Sequence, residues 1–203
     1  MRYLGVLLIV AASQARGQQS GVTFPERLAA DTRVTLTRLA DSARSLGIPA
    51  EAIAAKAAEG VLKGADDARI LRAVRSLVAD LGNARAVLPG ANASVLTAAA
   101  SALHAGASAR TLRELSDAAA VRPATPSRDA DLALALISVA DLAASGVSAE
   151  RAGSAVAQLL RRGAPDSAID AFRAGVARDV IEGRAPDQAL STRMRALRSP
   201  RSP

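Results

Sequence analysis

The chain has 203 residues, 50 of them alanine, and a formal net charge of +7, with 24 Arg and 2 Lys against 19 acidic residues. It contains no Cys, no Trp, one His and one Tyr, and its two Phe residues are Phe24 and Phe172. These counts exclude a disulfide scaffold, a thiolate metal site, a cluster of His ligands and a nucleic-acid reader that stacks bases on aromatic side chains. Because Ala, Leu and Arg are strong helix formers, we expect an all-α protein with a packed core.

The first 17 residues have the pattern of a secretory signal peptide. Arg2 gives a positive start, and the ten residues 3–12 (YLGVLLIVAA) are apolar, which is too few for a membrane-spanning helix. Ser13-Gln14-Ala15 and Ala15-Arg16-Gly17 both fit the small-x-small cleavage pattern. We expect export to the periplasm or the extracellular space, with cleavage after Ala15 or Gly17. An uncleaved anchor or a buried first helix is the alternative, and no later segment predicts a membrane span in the mature chain.

The chain after the signal peptide is expected to begin with a flexible lead at 18–24, followed by a first helical half at 25–120. Its first helix is predicted from Pro25 to Leu46, because Pro suits a first helical turn. One apolar stripe supports this helix and consists of Leu28, Leu36, Leu39, Ala43 and Leu46.

A short phrase recurs from there on: a glycine, a small apolar residue, and then a residue that starts a helix. Gly adopts the left-handed conformation that ends a helix, and a following Ser, Asp, Asn or Pro suits an N-cap or a first turn. The pattern predicts about nine or ten short helices, joined by short connections and packed as antiparallel hairpins in a bundle or a short solenoid. The phrase begins at Gly47, Gly64, Gly90, Gly106, Gly146, Gly163 and Gly183.

Apolar stripes at helical spacing accompany these phrases. In the first half they consist of Ile70, Val74, Leu77 and Leu81, of Val95, Leu96, Ala99 and Leu103, and of Leu112 and Leu115. Near the C-terminus they consist of Leu159, Leu160, Ile169, Phe172, Val176 and Val180. Residues 132–142 (LALALISVADL) are apolar on nearly every side, which predicts a place at the centre of the fold.

The two halves of the chain show signs of an internal duplication. At an offset of 99 residues, Gly47 matches Gly146 and Gly64 matches Gly163, together with six further identities. Either the chain is a two-half repeat, or short helices simply share the same capping requirements. Residues 121–129 (VRPATPSRD) are expected to link the first half to a second helical half at 130–197, and residues 198–203 to form a disordered basic tail.

Groups with catalytic chemistry are few. His104 stands near the end of a predicted helix, where a cation complements the helix dipole, and this explains it better than a triad does. The chain has no nucleophile elbow, phosphate-binding loop or EF-hand loop. We therefore expect no catalytic residue, no metal site and no cofactor.

Most other candidate polar residues are expected to serve as helix caps. Asp66 and Asp67 open one predicted helix, and Asp129 and Asp131 open another. Asp166 is expected to cap a helix and Asp170 to be solvated, while Asn92, within the sequon Asn92-Ala93-Ser94, is expected to be an N-cap.

The basic C-terminus is the one feature that suggests a binding chemistry. Arg193, Arg195, Arg198 and Arg201 fall within the last eleven residues, and they either contact a polyanion or merely keep the chain soluble. Nucleic acid bound without sequence specificity, anionic lipid and acidic polysaccharide are the polyanions considered.

The function expected from these observations does not involve catalysis. The excess of Arg over Lys indicates GC-rich coding and favours a bacterial source. We expect an exported interaction or scaffold protein of a bacterial envelope whose helical surface binds a protein partner. Polyanion or anionic-membrane binding through the Arg-rich C-terminus is the alternative.

Overall fold

The computed structural model describes residues 21–121 and 128–197. Within these ranges the chain forms helices and no strand, which confirms the all-α prediction. The predicted signal peptide, part of the predicted linker (122–127) and the basic residues 198–203 lie outside the described residues. The nine described helices are α1 (Ala30–Ser45), α2 (Ala50–Leu62), α3 (Asp67–Val87), α4 (Ala93–His104), α5 (Ala109–Ala120), α6 (Arg128–Ala144), α7 (Ala149–Arg161), α8 (Asp166–Ile181) and α9 (Pro186–Ala196).

Helix α6 lies at the centre of the described fold, as the apolar segment 132–142 predicts. It packs against α4, α5, α7 and α8. Leu136, Val139 and Leu142 on this helix have no solvent-exposed surface. Because α6 is covered on several sides, a continuous apolar surface is needed there rather than a single stripe.

Four of the described helices begin with a side-chain cap. The acceptor is Asp66 for α3 and Asn92 for α4, and each binds the backbone N–H three residues later, at 2.7 and 3.0 Å. Ser108 and Ser148 do the same for α5 and α7, at 3.2 and 3.3 Å. The predicted caps at Asp66 and Asn92 are therefore confirmed.

The glycines of the recurring phrase follow the helix ends. At Gly64 and Gly163 φ is +69° and +70°, and the next residue donates its N–H back to the carbonyl of Gly60 or Leu159. This bond satisfies a carbonyl that the helix would otherwise leave without a partner. Positive φ occurs at Gly47, Gly64, Gly90, Gly106, Gly146, Gly163 and Gly183.

The packing of the helices differs from a row of antiparallel hairpins, so that part of the prediction is not confirmed. Helix α4 packs most extensively against α6, and α5 packs most extensively against α7. Helices two apart in the chain thus form the largest interfaces. A short connection fixes where the chain turns, but the apolar faces decide which helix becomes the neighbour.

The internal repeat is also not confirmed. The bounds of α2 and α7 coincide at the offset of 99 residues, and so do the first residues of α3 and α8. However, α2 packs against α3, whereas α7 packs mainly against α5 and α6. The shared bounds are equally explained by shared capping, because every helix end needs acceptors and donors of the same kind.

The start of the first helix was predicted too early. Helix α1 begins at Ala30, because Ala29 is extended and the chain makes a turn in which Leu28 donates its N–H to the carbonyl of Pro25. At the other end Leu46 is 64% exposed and does not continue the buried stripe. Ahead of the turn, Val22 and Phe24 are partly buried against the core.

No helix among the described residues is both long enough and apolar enough to cross a membrane.

Candidate functional site

A large groove lies between α7 and α9. Its volume is about 610 Å³. Helix α9 packs chiefly on α8 and touches α7 only lightly, so the space between α7 and α9 stays open. The lining residues are Glu150, Arg151, Ser154, Ala155 and Gln158 from α7, and Leu190, Ser191, Met194 and Arg195 from α9.

The groove combines an apolar base with a polar rim. Ala155, Leu190 and Met194 are buried and belong to the hydrophobic core. Ser154 and Arg195 are exposed at the rim. The unbranched Met side chain adapts its shape to what it contacts, and the small Ala leaves room above it. This combination suits an apolar side chain of a ligand flanked by polar groups.

Arg151 joins the two walls of the groove. Its guanidinium contacts Asp187 Oδ2 at 2.7 Å and donates to Ser191 Oγ at 3.1 Å. Ser191 Oγ in turn donates to the backbone carbonyl of Asp187 at 2.8 Å. The other carboxylate oxygen, Asp187 Oδ1, is shielded and has no hydrogen-bond partner among the described residues. Arg151 therefore bridges α7 and α9 at one end of the groove.

A buried carboxylate fixes α9 against α8. Asp179 is 3% exposed, and both of its oxygens accept hydrogen bonds from Arg193, at 2.8 and 2.6 Å. Arg184 adds a third bond to the same carboxylate at 2.8 Å. The hydrogen bonds from Arg193 hold the pKa of Asp179 below its ordinary value against the opposing effect of burial, and Asp179 raises the pKa of Arg193.

The four arginines proposed as polyanion contacts have different surroundings. Arg193 is held in the ion pair with Asp179 and lies over Gly175. Arg195 lines the groove, and no carboxylate of the described residues pairs with it. Arg198 and Arg201 lie outside the described residues. The structure therefore brings only Arg195 of this set to the candidate site.

The excess of positive charge lies mainly outside the described residues. Residues 21–121 and 128–197 contain 21 of the 26 Lys and Arg residues and all 19 Asp and Glu residues. The described part of the chain is thus close to neutral. The remaining cations are Arg2, Arg16, Arg122, Arg198 and Arg201.

His104 lies in the last turn of α4, where the sequence predicts it. Its Nδ1 is 3.2 Å from Asp80 Oδ2, and its side chain is 74% exposed. The imidazole borders a smaller groove of about 350 Å³, lined in part by Ala52, Leu77 and Ala100. Asp80 as the partner of His104 was not predicted.

Asp67 and Asp129 stand in the first turns of α3 and α6, as predicted, and their side chains also bind groups outside their own helices. Asp67 Oδ2 accepts the backbone N–H of Ala29 at 2.9 Å and so binds the segment before α1. Asp129 Oδ2 accepts a hydrogen bond from the side-chain amide of Asn92 at 2.7 Å, which joins the start of α6 to the start of α4. Asp131 is buried on α6.

The prediction for Asp166 needs correction. Pro165 occupies the N-cap position of α8 with no side-chain cap, and Asp166 is the first helical residue. Asp170 is half exposed and pairs with Arg173 at 3.1 Å. A Pro at the N-cap leaves the cap to backbone groups, but an acidic residue in the first turn still complements the helix dipole.

Sequence reasoning missed Arg151, Asp179 and Asp187. Asp179 belongs to the set of identities at the offset of 99 residues, where it matches Asp80, but nothing in the sequence distinguishes it from a solvated residue.

No group of three or more His, Asp or Glu side chains in the described part of the chain could hold a metal ion. Protein-family models, curated protein sequences and solved structures give no match to this chain.

Proposed function

We propose that this chain is an exported, non-catalytic interaction protein of a bacterial envelope, and that the α7–α9 groove binds a segment of a partner protein. The observation that supports the proposal is the open groove with an apolar base and a polar rim. Export is supported by the N-terminal pattern of residues 1–17.

The walls of the groove are long enough to flank a short helical segment. Helix α9 has 11 residues, which corresponds to about 16 Å or three turns. An amphipathic helix of similar length would place apolar side chains over Ala155, Leu190 and Met194 and leave its polar side in water. Buried apolar anchors inside a polar rim are the usual source of affinity in such interfaces.

Charge at the rim favours an acidic group on the partner. Arg195 has no carboxylate partner among the described residues, whereas Arg151 is already paired with Asp187. Glu150 at the same rim adds one negative charge. A carboxylate near Arg195 would gain a charge-assisted hydrogen bond without displacing an existing one.

Site-directed photocrosslinking in the producing cell tests this proposal. A photoreactive residue at Ser154, on the exposed rim of the groove, is expected to capture a discrete partner protein. The same residue at Thr37, exposed on α1, is the matched control. Replacing Ser154 with Trp fills the groove from the rim without changing a buried side chain. In a protein with this replacement, a photoreactive residue at a second rim position, Ser191, should no longer crosslink the partner.

The outcomes separate clearly. An adduct that forms at Ser154 and Ser191, is absent at Thr37 and disappears in Ser154→Trp supports the groove as the binding site. Adducts that are equally abundant at Thr37, or crosslinking at Ser191 that survives Ser154→Trp, would overturn the proposal.

Polyanion binding through the C-terminus is the second candidate. It is favoured by the concentration of unopposed cations in the flanking segments, including Arg198 and Arg201. Removing residues 198–203 tests it while leaving α9 complete, whereas a longer deletion from residue 192 would also remove the buried Met194 and the ion pair of Arg193.

The expected result is weaker binding to DNA and to anionic vesicles in the truncated protein. The slope of log K against log salt is negative, and each lost phosphate contact makes it shallower by about 0.9 on duplex DNA. Loss of two arginines should therefore reduce the magnitude of the slope by up to about two. Unchanged affinity and unchanged salt dependence after truncation would rule out this role for the C-terminus.

A further inference from the structure

Three exposed arginines, Arg69, Arg72 and Arg75, lie in the first half of α3. One side of this helix faces solvent along its whole length, as a row of exposed positions. This row consists of positions 69, 72, 76, 79, 83 and 86, which follow helical spacing. Arg69 and Arg72 belong to this row, and Arg75 is exposed beside it. We call Leu62, Lys63, Arg69, Arg72 and Arg75 the basic face.

No carboxylate lies in this row on α3. The acidic residues of the helix and its cap are at its start, where Asp66 accepts the N–H of Arg69 and Asp67 accepts that of Ala29. The next one, Asp80, pairs with His104 of α4. Among the described residues no ion pair involves Arg69, Arg72 or Arg75.

The neighbouring helices do not reverse this charge. On α2, Glu59 binds Lys56 and Lys63 together, and these hydrogen bonds lower the pKa of Glu59 to about 2. On α1, which also packs against α3, three arginines (Arg33, Arg38 and Arg44) stand against two carboxylates, Asp31 and Asp41.

An exposed leucine ends α2, just before the turn that leads into α3. Leu62, the last residue of α2, is 88% exposed and precedes Lys63, whose side chain is also largely exposed. Lys63 and Arg69 line the same small groove of about 290 Å³ between α2 and α3. Leu62, Lys63 and Arg69 therefore flank the turn that joins α2 to α3, and Arg72 and Arg75 follow along α3.

Helix stability does not account for this arrangement. Arg69 and Arg72 lie in the first two turns of α3, where the helix dipole favours negative rather than positive side chains. Leu62 gains nothing from burial in the folded chain, because it remains in water. Both features become favourable when a negatively charged, partly apolar surface covers them.

We propose that the basic face binds an anionic lipid bilayer. Arg69, Arg72 and Arg75 contact lipid phosphates, and Leu62 enters the interfacial region beside Lys63. An exposed apolar side chain among cations fits a lipid surface better than nucleic acid, because the chain has almost no aromatic side chains on which bases could stack. This role is separate from that of the α7–α9 groove, since it uses α2 and α3.

Vesicle sedimentation with the full chain tests the proposal. The quantity measured is the ratio of binding to phosphatidylcholine vesicles containing about 30% phosphatidylglycerol over binding to phosphatidylcholine alone, at about 50 mM salt. The ratio is needed because the apolar residues 3–12, present in every variant, can bind both kinds of vesicle. The variant R69Q/R72Q/R75Q is expected to lower the ratio at least about tenfold, since each arginine near an anionic surface contributes severalfold.

Two further variants make the result specific. R110Q/R162Q/R178Q removes three exposed arginines that form no ion pair among the described residues, on α5, at the end of α7 and on α8. This variant should leave the ratio within about twofold. Leu62→Ser keeps every charge and should weaken binding to the anionic vesicles at about 200 mM salt, where headgroup attraction is screened.

The proposal is overturned by any of three results. These are an unchanged ratio in R69Q/R72Q/R75Q, an equal loss in R110Q/R162Q/R178Q, or tighter binding of the unmodified chain to DNA than to anionic vesicles. Circular dichroism of each variant must show unchanged helix content. Leu62→Ser tests the apolar contact separately, because it leaves every charge in place.

Discussion

The contact between α5 and α7 includes one position at which only glycine fits. Gly153 of α7 faces Thr111 of α5, and a Cβ at residue 153 would lie 2.3 Å from Thr111 Cγ2. Thr111 is itself buried and hydrogen-bonded to Ser108, so it cannot move aside freely. Gly153 therefore sets the distance between α5 and α7.

Gly153→Ala should destabilise the protein. We expect a loss of about 1–3 kcal/mol in the free energy of unfolding, measured by urea denaturation, because the added methyl group overpacks the interface. Gly82→Ala in α3 is the matched control: nothing lies within 4 Å of its Cβ position, and the helix should gain about 0.5–1 kcal/mol. Thr111→Ser removes the clashing methyl group, so it should restore the unfolding free energy that Gly153→Ala loses. Equal effects of Gly153→Ala and Gly82→Ala would contradict this account.

Asp179 links the stability of the fold to acid pH. Arg193 holds the pKa of Asp179 below the ordinary value of 3.8, so the folded state favours the charged carboxylate. Its contribution is complete above the ordinary pKa and is lost as the pH falls through the lowered pKa of the folded state.

Asp179→Asn should lower the melting temperature at pH 7 and flatten its dependence on pH below about 4. The physical reason is that Asn cannot pair with Arg193 and Arg184 as a charge, and it does not titrate. Asp170→Asn, at a half-exposed carboxylate on the same helix, should change the melting temperature little. A steep acid dependence that persists in Asp179→Asn would show that other groups are responsible.

At the scale of the helices, local sequence determined most ends and tertiary contacts determined the rest. Asp66, Asn92, Ser108 and Ser148 cap their helices through their own backbone neighbours, so a sequence pattern can find them. The start of α1 is different. Its acceptor for the N–H of Ala29 is Asp67, 38 residues away, which no local pattern could identify.

Asn92 acts in both ways. Its carbonyl oxygen caps α4, and its amide donates to Asp129 at the start of α6. Asn92→Ala should cost about 1 kcal/mol in unfolding free energy, mainly through the lost cap. Asn92→Asp keeps the cap but places a second carboxylate next to Asp129, so its cost should fall with added salt. A cost for Asn92→Asp that does not depend on salt would argue against contact with Asp129.

At the scale of the whole molecule, the buried apolar residues from Leu28 to Met194 form a single cluster. Helices α4 and α5, before the predicted linker, pack against α6 and α7, after it. A linker at 121–129 between two helical halves stays a prediction. The described helices on its two sides share an interface. Cooperative unfolding of both sides is the expected consequence.

Leu136→Ala on α6 tests that cooperativity. Its side chain is fully buried, so the loss should be about 2–5 kcal/mol. Because the chain has no Trp, Thr37→Trp and Ser154→Trp provide separate fluorescence reporters for α1 and α7. Both reporters should show the same midpoint in urea, and Leu136→Ala should shift them together.

The half-exposed neighbour Ile137 supplies the control, since Ile137→Ala should shift the midpoint little. Two separate midpoints, or a shift at only one reporter, would mean that the helices on either side of the linker unfold independently.

The candidate sites were less predictable than the fold. Arg193 was predicted from the sequence as a possible polyanion contact, but its ion pair with Asp179 depends on how α8 and α9 face each other. The α7–α9 groove exists because α9 packs on α8 rather than fully on α7. Neither fact follows from composition or helical spacing.

The sequence by itself determined the helical class, most helix ends and the central place of residues 132–142. These depend on properties that act within one helix: propensity, capping, glycine conformation and the pattern of apolar residues. Only the tertiary structure decided which helices pair, where Arg193 and Asp67 find their partners, and which grooves and arginines stay open. With 50 alanines, many helix faces are alike in size and apolar character, so neighbours are selected by the fit of the whole assembly rather than by any short segment.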